Sequence, residues 1–336
     1  MGGLATAVYP MTPPDMRKGS LVPTIETLPA IDQAQRHATH LQGSAAVAPP
    51  PKPACGYPDP WDRTLPAAAL ADPFQQAHTA RVDNVLLGGF HHLAVDRRVA
   101  AQLTSSVPGI AHMQRHNRMF QQRVVAYLLA AGVRQFIDLG CGFPTLGAVH
   151  ELTHEAAPAV KVAYVDIDPL TVELGRDLLA DQPRALIIRG DLRDPHRILS
   201  HPQVNDLLDL GQPVAVLALN VLHHLADGDP AALTAVFRDW TVPGSYLAIS
   251  HYCHKNQQAA MAALTRTTGE AGWVTVPRSR AQIHRLFHGG RMVPPGLTWT
   301  PAWHPEPHTY PDLSSQPHRA GLLAGLAHKR HNRPPT

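Results

Sequence analysis

Residues 136–145, FIDLGCGFPT, predict a buried strand that runs directly into a ligand-binding turn. The apolar run ends at an acid, Asp138, and a Gly-x-Gly turn of Gly140 and Gly142 follows at once. Glycines allow the backbone to approach a ligand closely. Thr145 stands where a phosphate-binding Gly-x-Gly-x-x-Gly loop would have its third glycine. A carboxylate beside such a turn favours a cationic ligand, such as one that carries an ammonium and a sulfonium.

Strands and helices alternate on both sides of this turn. Residues 112–132 have apolar positions at helical spacing and end in Gly132, which predicts an amphipathic helix. Five strands are predicted, with helices between them, at residues 134–140, 161–168, 185–191, 213–222 and 244–250. Strands that alternate with helices are typical of an α/β fold with a doubly wound, Rossmann-like parallel sheet. In such sheets the ligand binds at the carboxyl ends of the strands.

The two ends of the chain differ in composition from this alternating part. Residues 1–74 are rich in proline and predict a largely extended or disordered extension, with one short helix near residues 31–41. Residues 305–336 are rich in histidine and proline and predict a tail, in which residues 319–329 could form a short helix. The folded domain that contains the sheet is predicted at residues 133–304.

Composition argues against several classes of partner. The net charge of +3 on 336 residues is too small to indicate nucleic-acid binding. The three cysteines are widely spaced, which fits a reducing cytoplasm better than a disulfide framework. The first residues do not resemble a signal peptide, and no apolar run is long enough to span a membrane. His251, Cys253 and His254 fit no zinc-ligand spacing, so no metal is expected.

Two further strand ends carry acids. Asp166 ends the second predicted strand, where a carboxylate can accept hydrogen bonds from both ribose hydroxyls, and Asp168 is the second candidate for this role. Asp191 and the adjacent Leu192 follow the third strand, where an adenine amino group is commonly received. Any one of these acids could instead be a turn or N-cap residue. Acids at three successive strand ends together predict a pocket for S-adenosylmethionine.

These motifs, with RVDNVLLGG in residues 81–89 and PGSYLAISH in residues 243–251, resemble the actinobacterial S-adenosyl methyltransferase family, a class I methyltransferase group. The resemblance covers about residues 80–305. It implies a Rossmann-like sheet, a helical cap at residues 75–132 over the cofactor, and S-adenosylmethionine as the cofactor. The resemblance carries over Gly140 and Gly142 in the turn, Asp166 on the ribose and Asp191 near the adenine, and it matches Arg81, Gly88, Gly89, Asn117 and Arg118 to the family's cap segment. Of these cap residues, Arg81, Gly88, Gly89 and Arg118 are expected to contact the cofactor.

The cap departs from the family pattern at four positions. Asp83, Phe90, His91 and His92 stand where the family usually has tyrosine, lysine, aspartate and asparagine. If this segment contacts the methionine end or the methyl acceptor, the substrate has changed. If it performs chemistry, turnover itself is affected.

Two histidines are the candidate catalytic residues. His223 follows the fourth predicted strand and His251 ends the fifth, both at family histidine positions, and either could act as a general base or merely cap a strand. His224 is expected to face away from the pocket, because neighbouring strand residues point to opposite faces. Asn220, at the tip of the fourth strand, is expected to contact the cofactor.

The leading hypothesis is a methyltransferase that acts on a small molecule, in secondary metabolism. A second hypothesis is a protein that binds S-adenosylmethionine without transferring its methyl group, either a regulator or an enzyme that cyclises or cleaves the cofactor. A third, an NAD-dependent oxidoreductase, is disfavoured by the missing third glycine and by the acid before the turn. No nucleic-acid or membrane partner is expected, and a homodimer stays open.

Overall fold

The computed structural model describes residues 74–145, 147–153, 157, 159–226, 229–305 and 316–330. Its centre is a sheet in the order β3-β2-β1-β4-β5-β8-β6, with β7 also paired to β8. The strands are β1 (Gln135–Leu139), β2 (Lys161–Asp166), β3 (Ala185–Arg189), β4 (Ala215–Leu219), β5 (Tyr246–Tyr252), β6 (Arg291–Met292), β7 (Thr298–Trp299) and β8 (Leu322–His328). The predicted extension up to residue 73 and its short helix lie outside the described residues.

Strands β1 to β5 are parallel, and β8 lies antiparallel to β5. The chain places β2 and β3 on one side of β1 and then crosses to β4 and β5 on the other. The switch point is therefore between β1 and β4, where an open α/β sheet forms its ligand crevice. All five residues of β1 and of β4 are buried, and β4, AVLAL, is accordingly apolar throughout, whereas β1 also buries Gln135 and Asp138.

Helices cover both faces of the sheet. They are α1 (Thr79–Leu86), α2 (Ala94–Ser106), α3 (Ile110–Ala130), α4 (Val149–Thr153), α5 (Pro169–Leu178), α6 (Pro195–Leu199), α7 (Pro202–Leu207), α8 (Pro230–Trp240), α9 (Gln258–Glu270) and α10 (Arg280–Arg285). Successive strand side chains point to opposite faces, so Phe136 joins the core that contains Phe120 of α3, and Ile137 joins the core that contains Phe237 of α8. The fold is thus the predicted doubly wound α/β sheet.

The helices α1, α2 and α3 form the cap that the family resemblance implies. Val82, Leu103 and Ile110 are buried in one apolar cluster, which also contains Tyr252 of β5 and Leu264 of α9. Helix α3 ends at Ala130, and Gly132 follows with a φ of +87°, as the predicted glycine stop requires. The cap is therefore fixed to the β5 side of the sheet by buried apolar contacts.

The C-terminal segment was expected to be helical or tail-like, and this expectation is wrong for residues 322–328. Strand β8 pairs with seven residues of β5, from Tyr246 to Tyr252, and six of its seven residues are buried. A short apolar run such as LLAGLA does not by itself distinguish a buried strand from a helix. Backbone pairing with β5, about 75 residues earlier in the chain, stabilises the strand rather than a helix in this segment. The other predicted domain boundaries stay predictions.

Candidate active site

A cavity of about 470 Å³ lies at the switch point, between the cap and the carboxyl ends of β1 to β4. Its wall is formed by residues of α1 and α3, by the loops that follow these four strands, and by residues 271–274 after α9. Cavities of this size are typical of sites for small molecules and cofactors. Among the described helices, none is long and apolar enough to cross a membrane.

The glycine turn wraps around the end of β2. The N–H groups of Gly140 and Cys141 donate to the Val165 carbonyl at 2.8 and 3.1 Å, and Gly142 N donates to Asp166 Oδ2 at 2.8 Å. Gly140 has a φ of +66°, and a Cβ there would collide with the side chain of Val221. The turn therefore requires glycine both for its backbone conformation and for its close packing.

Carboxylates at or just after the ends of the first three strands, Asp138, Asp166 and Asp191, line the cavity. Asp138 and Asp166 are each 5% exposed. Burial raises the pKa of Asp138 to about 7 and also raises the pKa of Asp166, because the charged forms are poorly solvated. Asp191 accepts two hydrogen bonds from the guanidinium of Arg193, at 2.6 Å from Nη2 and 2.9 Å from Nε. Leu192 lies beside it in the same wall.

The remaining cofactor candidates divide into two groups. Gly140, Gly142, Asn220 and Arg118 line the cavity together with the acids and Leu192. Asp168, Arg81, Gly88 and Gly89 are outside the lining. Asp168 Oδ2 accepts from the backbone N–H of Thr171 at 3.0 Å and so caps α5.

Arg81 and the glycine pair hold the cap together. Arg81 is 1% exposed, its Nε lies 3.4 Å from Asp96 and 3.8 Å from Asp168, and its Nη2 donates to the Gln76 carbonyl. Gly88 follows α1 with a φ of +83°, and a Cβ at Gly89 would collide with Asn84. These contacts favour a structural role, and direct contact of these residues with the cofactor stays a prediction.

A polar network crosses from the cap to β4 and β5. Asn220, with a φ of +57°, donates from Nδ2 to Asp83 Oδ2 at 3.1 Å and to Gln114 Oε1 at 2.9 Å. Gln114 Nε2 in turn donates to the Tyr252 hydroxyl at 2.8 Å. The Asn220 N–H donates to Ser250 Oγ at 2.9 Å. This network fixes Asp83 at the cavity wall.

Asp83, which the sequence distinguishes only as a departure from the family pattern, lines the cavity beside Asn220. Burial raises its pKa to about 7, although the positive charge of Arg118 opposes this effect. Of the other altered cap positions, Phe90 is exposed and His91 stacks on Phe143 at a ring distance of 5.3 Å.

The candidate catalytic histidines lie in different environments. Both rings of His223 and His251 are fully buried. His251 Nδ1 lies 2.8 Å from the Tyr252 carbonyl, and its Nε2 accepts from Arg278 Nη1 at 2.8 Å. Arg278 also donates to the carbonyls of Leu222 and Leu225. His251 is not among the residues that line the cavity, and its occupied nitrogens disfavour the predicted role as a general base.

His223 and His224 occupy a short 3-10 turn, Leu222–His224, rather than a continuation of β4. The expectation that His224 faces away from the pocket is wrong, because it lines the cavity and its Nδ1 lies 3.0 Å from the Val274 carbonyl. Strand alternation does not apply to a 3-10 turn, in which side chains advance by about a third of a turn per residue. His223 lines a smaller cavity next to the main one.

This topology, with a glycine turn after β1 and acids after β1 to β3, defines the class I methyltransferase fold. The family model described as S-adenosyl methyltransferase matches residues 71–330, and the chain belongs to this family. The protein is therefore an S-adenosylmethionine-dependent methyltransferase, and the predicted cofactor is confirmed.

Two solved structures are similar to this chain over most of their length. A proposed methyltransferase of Thermobifida fusca YX is 33% identical, with a TM-score of 0.72, and the match covers 77% of this chain and 97% of that one. A DUF574 family protein of Streptomyces avermitilis MA-4680 is 30% identical, with a TM-score of 0.73, and the match covers 76% and 98%. Among curated proteins, none matches this chain.

Proposed function

We propose that the protein transfers a methyl group from S-adenosylmethionine to a small-molecule acceptor that enters the same cavity. The observation that carries this proposal is the mixed lining of the cavity. Carboxylates at the strand ends line it together with apolar side chains such as those of Leu225, Ala226, Trp273 and Val274. The carboxylates suit a cationic nucleoside, and the apolar side chains suit an apolar acceptor.

The residues on the strand-end side fit the cofactor. Asp138 would hold the methionine ammonium, Asp166 the ribose hydroxyls, and Asp191 with Leu192 the adenine. Arg118, whose Nη1 donates to Gln121 Oε1 at 2.9 Å, would hold the methionine carboxylate.

Two buried atoms in the wall support this assignment. Gln121 Nε2 and Asn220 Oδ1 have no hydrogen-bond partner among the described residues, although both side chains line the cavity. Buried polar atoms are nearly always paired in folded proteins. A bound ligand with its own donors and acceptors would supply the missing partners.

The bound cofactor supplies an activated methyl carbon, so the protein's task is positioning. Holding an acceptor in line with that carbon can remove much of the activation barrier. The cap closes one side of the cavity, and the network of Asp83, Asn220 and Gln114 fixes its wall. A base is needed only for an acceptor that must lose a proton.

The proposal is tested by isothermal titration of the full chain with S-adenosylmethionine, followed by mass spectrometry after incubation with the cofactor alone. We expect binding with no consumption of cofactor in the absence of an acceptor. No binding would refute the proposed site. Release of methylthioadenosine would indicate cleavage of the cofactor itself. The cytoplasmic location and the role in secondary metabolism stay predictions.

A further inference from the structure

A second, smaller cavity of about 20 Å³ adjoins the main one under the cap. Asp83, Asn220 and His224 line both cavities and so mark the junction between them. His223 and Thr275 line only the smaller one, and the rest of its wall combines apolar side chains, mainly of the cap, with the polar residues Thr79, Gln114, Tyr252 and Thr268. We call it the side cavity. Its volume suffices for one group the size of a water molecule.

Two residues in the wall of the side cavity carry polar atoms that have no partner in the described part of the chain. His223 is 0% exposed and Thr275 is 1% exposed. Both ring nitrogens of His223, and Oγ1 of Thr275, have no hydrogen-bond partner among the described residues. Buried polar groups are nearly always paired, so two residues with unpaired polar atoms in the wall of one small space indicate that a polar group binds there.

The chemistry of the side-cavity wall restricts which polar group can bind there. Burial, together with the neighbouring His224, His251 and Arg278, holds the pKa of His223 well below its usual range. A neutral imidazole offers one donor and one acceptor but no charge to balance an anion. A bound anion would also be repelled by the Asp83 carboxylate at the junction between the two cavities. An uncharged hydroxyl group can pair with the polar atoms of the wall, because it both donates and accepts hydrogen bonds.

The approach to the side cavity adds a second restriction. The loop after α9 is tied to the His223 turn, because Val276 N donates to the His223 carbonyl at 2.8 Å. This loop places Trp273 in the walls of both cavities, and the adjacent Val274 lines the main cavity and is 48% exposed. A molecule whose hydroxyl reaches the side cavity would therefore have its body against apolar and aromatic side chains.

From this geometry, and resting on the proposed function, we propose that the side cavity binds the hydroxyl group of the methyl acceptor. The acceptor is an uncharged hydroxyl compound with an apolar or aromatic body, such as a phenol. His223 and Thr275 bind its oxygen, and Asp83 accepts its proton at the junction.

The step balances without any further reactant. The acceptor oxygen forms a bond to the methyl carbon as the carbon–sulfur bond breaks. The bonding pair remains on sulfur, which changes from a sulfonium to a neutral thioether. The hydroxyl proton passes to the Asp83 carboxylate and from there to solvent. The products are a methyl ether and S-adenosylhomocysteine.

The binding part of the proposal is tested with phenol and toluene as matched probes. The full chain is saturated with S-adenosylhomocysteine, and the side-chain nitrogen signals of ¹⁵N-labelled histidine are followed by NMR. We expect phenol, but not toluene, to shift the His223 signals in a saturable way. Equal shifts with both probes, or no shift with phenol, would show that the space is merely apolar or holds only water, and would overturn the proposal.

Thr275→Val tests the hydroxyl contact, because valine has nearly the same shape as threonine. Thr300→Val is the matched control, since Thr300 is also fully buried with an unpartnered Oγ1 but lies outside both cavities. We expect Thr275→Val to weaken phenol binding at least about fivefold and Thr300→Val to leave it unchanged. Equal effects of the two variants would contradict the assignment.

Asp83→Asn tests the proton acceptor. Wild type supplied with S-adenosylmethionine and phenol should yield anisole, and the variant should lose at least about 100-fold of this activity while binding the cofactor within about threefold of wild type. Bound phenol that yields no anisole, or a variant that loses cofactor binding, would overturn the role of Asp83. Failure of wild type to bind the cofactor would instead refute the proposed function.

Discussion

Two buried groups of titratable residues lie near the carboxyl ends of the sheet, and they behave in opposite ways. Burial raises the pKa of the carboxyls Asp138 and Asp166. It lowers the pKa of His224 to about 4 and that of His251 to about 3. Burial thus favours the uncharged form in both groups.

His251 differs from the two carboxyls in its position and in its partners. Asp138 and Asp166 line the main cavity, as does His224. His251 lies outside that lining, and both of its nitrogens are occupied by the Tyr252 carbonyl and Arg278. A perturbed pKa on a buried residue therefore points to a binding site only where the residue also lines a cavity.

The largest expected effect concerns the ribose carboxylate. Asp166→Ala should weaken S-adenosylmethionine binding by about 1–3 kcal/mol, because the ribose hydroxyls and the Gly142 N–H would both lose their acceptor. Isothermal titration measures this change. Asp194→Ala is the control, since Asp194 also accepts a hydrogen bond from a backbone N–H group but lies outside the cavity lining. Equal losses in the two variants would contradict the assignment of Asp166.

Stability should respond to pH with opposite signs in the two groups. The folded pKa of Asp138 lies above its unfolded value, so its contribution to stability is fully present below about pH 4 and is lost as the pH rises through 7. The histidines, whose folded pKa values are lowered, contribute stability above about pH 6.5 that is lost as the pH falls through 4.

Asp138→Asn separates these two contributions in the protein without cofactor. Relative to wild type, the variant should gain about 2 kcal/mol of unfolding free energy between pH 5 and pH 8. Urea unfolding at the two pH values measures this difference. A difference that does not change with pH would show that Asp138 is ionised throughout this range.

Cofactor affinity should depend on the same carboxyl. Only ionised Asp138 attracts the ammonium, and its pKa is about 7 in the unliganded protein. The affinity for S-adenosylmethionine should therefore rise about tenfold from pH 6 to pH 8 and level off above that. Isothermal titration of wild type and Asp138→Asn across this range is the measurement. If the affinity of Asp138→Asn still rose with pH, the pH dependence would belong to another titratable group.

The smallest effect is expected at Asp168, the candidate that lies outside the cavity lining. Asp168→Asn should keep the helix cap, because asparagine is also a good N-cap residue, and should leave cofactor affinity within about twofold. Its loss of the ion pair with Arg81 should lower the thermal midpoint by a few degrees. A large loss of affinity, measured by titration, would show that Asp168 contacts the cofactor after all.

Much of the part of the site assigned to the cofactor could be predicted, because the sequence patterns that indicate it are local. The strand, the glycine turn and the terminal acid of residues 136–145 are adjacent in sequence, and parallel strands bring their carboxyl ends to one edge. Asp138, Asp166 and Asp191 consequently all line the cavity. The predicted helix through residues 112–132 is also confirmed, at Ile110–Ala130.

The part of the site around Asp83, His224 and the side cavity depends on contacts between segments that are distant in the sequence. Asp83 reaches the cavity because Asn220, 137 residues later, fixes its carboxylate, and Thr275 reaches the side cavity through the loop after α9. His224 turned inward because a 3-10 turn replaces the strand at Leu222. No local pattern in the sequence distinguishes these residues from ordinary surface or core positions.

The sequence by itself determined the class of fold and the acids at the strand ends, because hydrophobic periodicity and turn chemistry act over a few residues. Only the tertiary structure decided that residues 322–328 form a central strand, that His251 accepts a hydrogen bond from Arg278, and that Asp83 lines two cavities. These features depend on which distant segments of the chain pack together, and that packing is determined by burial and strand pairing across the whole fold.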